Sequence, residues 1–172
     1  MFTKGSYVVY RAEGVCVVSD IREESFNALD KETYFYILSP VKEPKSLLYV
    51  PTDNAQLTSM MRPILSAEEI NSLAEELCDE RIELLAESRS RGAQLREILG
   101  RGDRRELIVL LNTLIDFMGR VKQSGKKLGV TEINAYTRAS KLLVEEFSVM
   151  SDIDSVEKLL AVISGKEKCL SK

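Results

Sequence analysis

The sequence predicts an α+β protein, with a small antiparallel β barrel at the N-terminus and an all-α helical region after it. Apolar residues recur with a period of two to about residue 60, and beyond Pro63 the period lengthens to about 3.6. No helical pattern lies between the early apolar runs, so the parallel strands of an α/β unit, which need such crossovers, are excluded.

The strands are read from Tyr7-Val8-Val9-Tyr10, Val15-Cys16-Val17-Val18, Tyr34-Phe35-Tyr36-Ile37-Leu38 and Leu47-Leu48-Tyr49-Val50, all β-branched or aromatic in character. Turn-forming residues separate them: Glu13-Gly14, Asn27 to Lys31, and Lys42 to Lys45 with Pro40 and Pro44. Four or five short strands in about 60 residues suit an SH3-like or Tudor-like barrel, giving a first domain over 1–62.

A helical domain over 66–165 follows. Ser66 with Glu69 forms a capping-box start for a helix through Ile70, Leu73, Ala74 and Leu77. Residues 80–85 fit either helix or ordered loop. Ser88 to Gly92 reads as a polar break before Leu95, Ile98 and Leu99, and Gly100 with Gly102 closes that element. Asp103 can cap a long helix whose stripe is Leu107, Leu110, Leu111, Leu114, Met118 and Val121. A basic loop at Ser124 to Gly129 leads into a helix from about Thr131 to Met150, with Ile133, Tyr136, Leu143 and Phe147 inward. The last helix uses Val156, Leu159, Leu160 and Ile163, and residues 166–172 are expected to fray.

Composition removes several function classes. The chain of 172 residues has no histidine, the commonest general base and transition-metal ligand, and this argues against hydrolytic chemistry. Cys16, Cys78 and Cys169 are widely spaced, which fits buried thiols rather than a disulfide framework or metal site, and no cofactor is expected. No apolar run approaches the roughly 18 residues of a membrane span, and the opening residues lack a secretory pattern, so a cytoplasmic protein is expected. The net charge of −3 conceals an asymmetry. Residues 66–87 hold eight Asp/Glu against one arginine, whereas residues 88–141 hold twelve Lys/Arg against five Asp/Glu, a candidate phosphate-facing surface.

Motifs narrow this further. Gly119 to Lys127 resembles a phosphate-binding loop, but Ser124 stands where glycine is needed and Lys127 where Ser/Thr would hold magnesium. The strand aromatics Tyr7, Tyr10, Tyr34, Phe35, Tyr36 and Tyr49 could build a methyl-lysine cage, although core packing and cross-strand pairing account for them better. Leu47-Leu48-Tyr49-Val50-Pro51 is an apolar strand ending in proline, which fits either an ordinary interior strand or a sheet edge, and an edge can accept a partner's strand. Arg89, Arg91, Arg96, Arg101, Arg104 and Arg105, with Lys126 and Lys127, could neutralise phosphates, but no base-reading signature accompanies them.

The order Phe2-x-x-Gly5-x-x-Val8-Val9-Tyr10-x-x-x-Gly14-Val15, then Tyr34-x-Tyr36-x-Leu38, Val50-Pro51, Gly102-Asp103 and Leu142-Leu143-Val144-x-Glu146 resembles the CarD/CdnL family over about residues 1–150. The resemblance implies a Tudor-like domain, shared with transcription-repair coupling factor, that binds the β subunit of bacterial RNA polymerase by adding its sheet edge to the polymerase, with Leu47, Leu48, Tyr49, Val50 and Pro51 at that edge. It further implies a helical domain that meets promoter DNA at the upstream edge of the bubble, stabilises the open complex and catalyses no reaction. A monomer without membrane association is expected. Ser88, Arg89, Arg91, Arg96, Lys126 and Lys127 are the DNA-contact candidates. The chain departs from the family where a tryptophan is common, since Ser88 stands there. Ser90, Ala93 and Ile133 replace frequent basic residues, and Tyr49 replaces a frequent arginine.

Overall fold

A computed structural model describes residues 1–24 and 33–172; the turn expected at Asn27 to Lys31 lies outside the described residues. The chain divides into two compact units, Met1–Ile64 and Leu65–Lys172.

The first unit is a five-stranded antiparallel sheet of β1 (Tyr7–Tyr10), β2 (Gly14–Glu24), β3 (Thr33–Pro40), β4 (Leu48–Pro51) and β5 (Met61–Pro63), in the order β4-β3-β2-β1-β5. A one-turn helix, α1 (Ala55–Thr58), capped by the Asn54 side chain, lies between β4 and β5. The tight reversal from β1 to β2 needs Gly14, whose φ of 81° and ψ of −145° fall in a region that side chains disfavour. Alternation directs Val8, Tyr10, Cys16, Val18, Tyr36, Leu38 and Val50 into one core with Met61. Burial pushes the Cys16 thiol up to about 11, with Glu13 adding to the shift.

The expected barrel is not formed. The sheet is open, because its end strands β4 and β5 pair only with β3 and β1 respectively. Closure would require a ladder between strands of four and three residues, each ending in a proline that has no N–H to donate.

The second unit contains α2 (Ala67–Leu77), α3 (Ser88–Arg101), α4 (Arg104–Gln123), α5 (Val130–Phe147) and α6 (Val156–Ile163). The Ser66–Glu69 capping box opens α2, and Asp103 caps α4 by accepting from the amides of Arg105 and Glu106. Ser88 to Gly92 is not a break but the first turns of α3. The Glu87 carboxylate accepts from the Arg89 and Ser90 amides, at 3.0 and 2.8 Å, and so satisfies the donors that a helix start exposes. Gly92 is buried there against α5, with room for a Cβ in ordinary contact with the Thr131 side chain at 3.5 Å. Residues 80–87 form no helix and run as an extended strap into α3.

Most of the expected apolar stripe of α4 is buried, and on α5 Leu143 and Phe147 face inward as expected with Tyr136 packed against the core, but Ile133 does not. Ala135, Ala139, Leu142, Leu143 and Phe147 are buried together with Glu132 and Glu146, whereas Ile133 is 43% exposed. The tail is not frayed. The Asn71 side chain donates to the Cys169 carbonyl at 2.9 Å and accepts from its amide at 2.8 Å. Asp152 accepts from the Leu170 amide at 2.8 Å and returns its own N–H to the Leu170 carbonyl.

Lys158 and the Leu170 amide hold the Asp152 carboxyl below its ordinary range. A carboxyl with a depressed folded-state value contributes stability that is full above the ordinary range and is lost as pH falls through the lowered value. The protection factor of the Leu170 amide, its exchange corrected for the intrinsic pH dependence, should therefore fall ahead of those in α4 as pH drops below about 4. Asp152→Ala should bring the same release at neutral pH, read as carboxypeptidase trimming of residues 166–172.

Candidate functional site

Two surfaces emerge, one on each unit. On the first, β4 ends the sheet. The Thr52 amide donates to the Tyr34 carbonyl at 2.8 Å, and the register Tyr36↔Val50, Leu38↔Leu48 continues that ladder. By antiparallel alternation, Leu48 and Val50 direct their backbone groups at β3, while those of Tyr49 and the Pro51 carbonyl point to the side where the sheet stops. The side chains divide in the same way. Val50 is 1% exposed and Leu48 packs against the core, whereas Leu47 and Tyr49 are 48% and 36% exposed. The Tyr49 ring meets Phe35 edge-on at 6.3 Å. Of the five edge residues read from sequence, Leu47 and Tyr49 thus present side chains outward, Leu48 and Val50 hold the strand down, and Pro51 ends it.

On the helical unit, the excess of cations is partly consumed internally. Arg91 is the clearest case. Its Nε donates to Glu132 Oε1 at 2.7 Å, with side chains 13% and 4% exposed. Its Nη1 donates to the Leu85 and Ala86 carbonyls at 2.8 and 2.9 Å, and its guanidinium lies over the Phe117 ring at 5.4 Å. Glu132, the third residue of α5, curls back over its own helix start, so closely that a Cβ on Gly129 would sit 2.2 Å from the carboxylate. Arg104 is buried against Glu146 at 3.0 Å. Arg101 pairs with Glu97 and Glu106 at 2.7 and 2.8 Å, Arg105 with Glu76 of the acidic α2, and Arg81 with Asp116 at 2.7 Å. Arg105 holds the Glu76 carboxyl below its ordinary range.

The remaining candidates are exposed. Ser88 opens α3, and Arg89 and Arg96, seven residues apart, share one helix face to within about 20°. Lys126 and Lys127 occupy the loop after α4. Lys126 lines a groove of about 720 Å³ between the strap and the C-terminal half of α4, where Arg91 and Arg120 also line it; Ser88, Arg89, Arg96 and Lys127 do not. Arg120 was missed by sequence reasoning, which weighed the arginines of residues 89–105. Its spacing from Lys122, Lys126 and Lys127 was the available signal.

Among the described residues, no cluster of His, Cys, Asp or Glu is arranged to hold a metal ion, and no helix is long and apolar enough to cross a membrane. Residues 2–65 match the family described as the CarD-like/TRCF RID domain, which assigns the first unit to the CarD/TRCF family. No curated protein matches the chain.

The geometry separates structural from surface arginines. Arg91→Ala should lower the stability of the helical unit by about 3 kcal/mol in denaturant unfolding, because it leaves the Glu132 carboxylate buried and unpaired. Arg89→Ala should stay within about 0.5 kcal/mol of the parent.

Proposed function

We propose that this chain is a bacterial transcription regulator without catalytic activity, whose CarD-like RID domain binds the β subunit of RNA polymerase and whose helical unit contacts promoter DNA at the upstream edge of the bubble, stabilising the open complex. The carrying observation is the family match on an open sheet with β4 at its end, an element suited to accept a partner strand. Leu47 and Tyr49 would flank that added strand. Arg89, Arg96, Lys126 and Lys127, which have no ion-pair partner among the described residues, would neutralise phosphates without reading bases. Four exposed cations give little affinity for free DNA. Held on the polymerase, the helical unit meets the promoter at high effective concentration, and modest contacts then suffice.

A second reading, in which the chain is a polymerase-binding adaptor that has lost DNA contact, draws support from the internal commitment of Arg91, Arg101 and Arg105 and from the absence of tryptophan.

Two measurements divide the readings. The chain should co-elute with bacterial RNA polymerase core, and Leu47→Asp with Tyr49→Asp should abolish this without unfolding, because both side chains face outward; no co-elution of the parent would sink both readings. Charge reversal at Arg89, Arg96, Lys126 and Lys127 should shorten open-complex lifetime by about tenfold or more and flatten its salt dependence. An unchanged lifetime in a variant that still co-elutes would favour the adaptor.

A further inference from the structure

The strap at residues 80–87 is tied to α4 at its start and to α3 further along, and forms one side of the groove. The Gln94 side chain accepts from the Leu85 amide at 3.2 Å and donates to the Glu83 carbonyl at 2.9 Å, and the Ile82 amide donates to Thr113 Oγ1 at 3.0 Å. The groove is lined by the apolar side chains of Leu84 and Leu85 from the strap and Phe117 and Val121 from α4, with Arg120 and Lys126 beside them. Neither of these cations has an ion-pair partner among the described residues, whereas the groove's other two, Arg81 and Arg91, are matched by Asp116 and Glu132. Glu83 is the remaining carboxylate on the rim. An apolar lining beside unmatched cations is the combination that takes an unstacked base together with the phosphates flanking it. A duplex keeps its bases stacked inside and could use only the cations.

We propose that this groove binds a short stretch of single-stranded nucleic acid, with a base against Leu84, Leu85, Phe117 and Val121 and phosphates on Arg120 and Lys126. The proposal rests on the reading that the helical unit contacts promoter DNA at the upstream edge of the bubble, and it names the form of DNA and the place. A groove of about 720 Å³ has room for one or two nucleotides rather than a long track, so binding should be weak and tolerant of sequence.

The test uses the full chain and fluorescence anisotropy at low salt with a labelled deoxythymidine oligonucleotide of about twelve residues. Saturable binding with a Kd on the order of 10⁻⁵ M is expected. The pair Arg120→Glu and Lys126→Glu should weaken it about tenfold or more and reduce the salt slope by about one to two. Glu83→Gln should tighten it, an opposite effect that misfolding would not produce, and Lys141→Glu on α5 should leave it unchanged. Any of three results would overturn the proposal: no saturable binding by the parent, an affinity unaffected by the Arg120/Lys126 pair, or equal binding of a duplex of the same length. Displacement of the oligonucleotide by an acidic amphipathic peptide more readily than by unlabelled strand would assign the groove to a protein partner and overturn it as well. Polymerase co-elution, which depends on the sheet edge, is measured separately. Failure at the groove with co-elution intact therefore removes this proposal alone.

Discussion

The helical unit depends on two carboxylates buried in one face of α5. Glu132 and Glu146 are fourteen residues apart, about 40° short of four full turns, so both point toward the helices that α5 packs against. Arg91 at the start of α3 takes the first and Arg104 at the start of α4 takes the second. Between them the face is small and apolar, Ala135 and Ala139 then Leu142 and Leu143, which lets the helices approach closely. A buried ion pair adds little net stability over an apolar substitute, but a half-pair is strongly unfavourable. The two pairs therefore act chiefly as registers: α5 can slide or rotate only by leaving two charges unmatched. The Arg91 pair also reaches beyond the helices, since the same guanidinium holds the Leu85 and Ala86 carbonyls and so fixes where the strap enters α3.

The sheet follows a different logic. Its core is built by alternation, and its edge is set by where pairing stops. Pro51 and Pro63 end the two outer strands, and with no N–H to donate they limit the ladder that could join β4 to β5. The same feature keeps the sheet from closing and leaves a strand at its end. An open sheet is a liability in a free protein and a docking element in one that has a partner.

Much of the architecture was legible because it is written in local chemistry. The period change after Pro63, the Ser66–Glu69 box and the Asp103 cap each act within a few residues, and the structure has them where the residues put them. What was not legible depended on distant partners. The Ser88 to Gly92 stretch reads as a break unless Glu87 is recognised as the cap and Gly92 as a contact with Thr131. On α5 the spacing finds Leu143 and Phe147, but a glutamate reads as an outward residue, and only Arg91 and Arg104, more than forty residues earlier, make Glu132 and Glu146 inward ones. Likewise Arg91 reads as one more surface cation in the sequence, which shows a charge without showing its partner Glu132. The barrel was overread from strand count: four or five runs suit closure, but the lengths of β4 and β5 decide it.

The stitching of residues 169–171 onto Asn71, Ser151 and Asp152 bears on how the protein can be made. The sheet of the first unit draws all its strands from residues 7–63, three of its pairings joining neighbours along the chain and the fourth bringing β5 back to β1, so it can form while later residues are still being synthesised. The helical unit has no such freedom. Asn71 on its first helix waits for Cys169, a partner 98 residues downstream, and that helix keeps part of its apolar face uncovered until the segment arrives. Emergence from the ribosome thus imposes an order in which the sheet is complete first and the helices last.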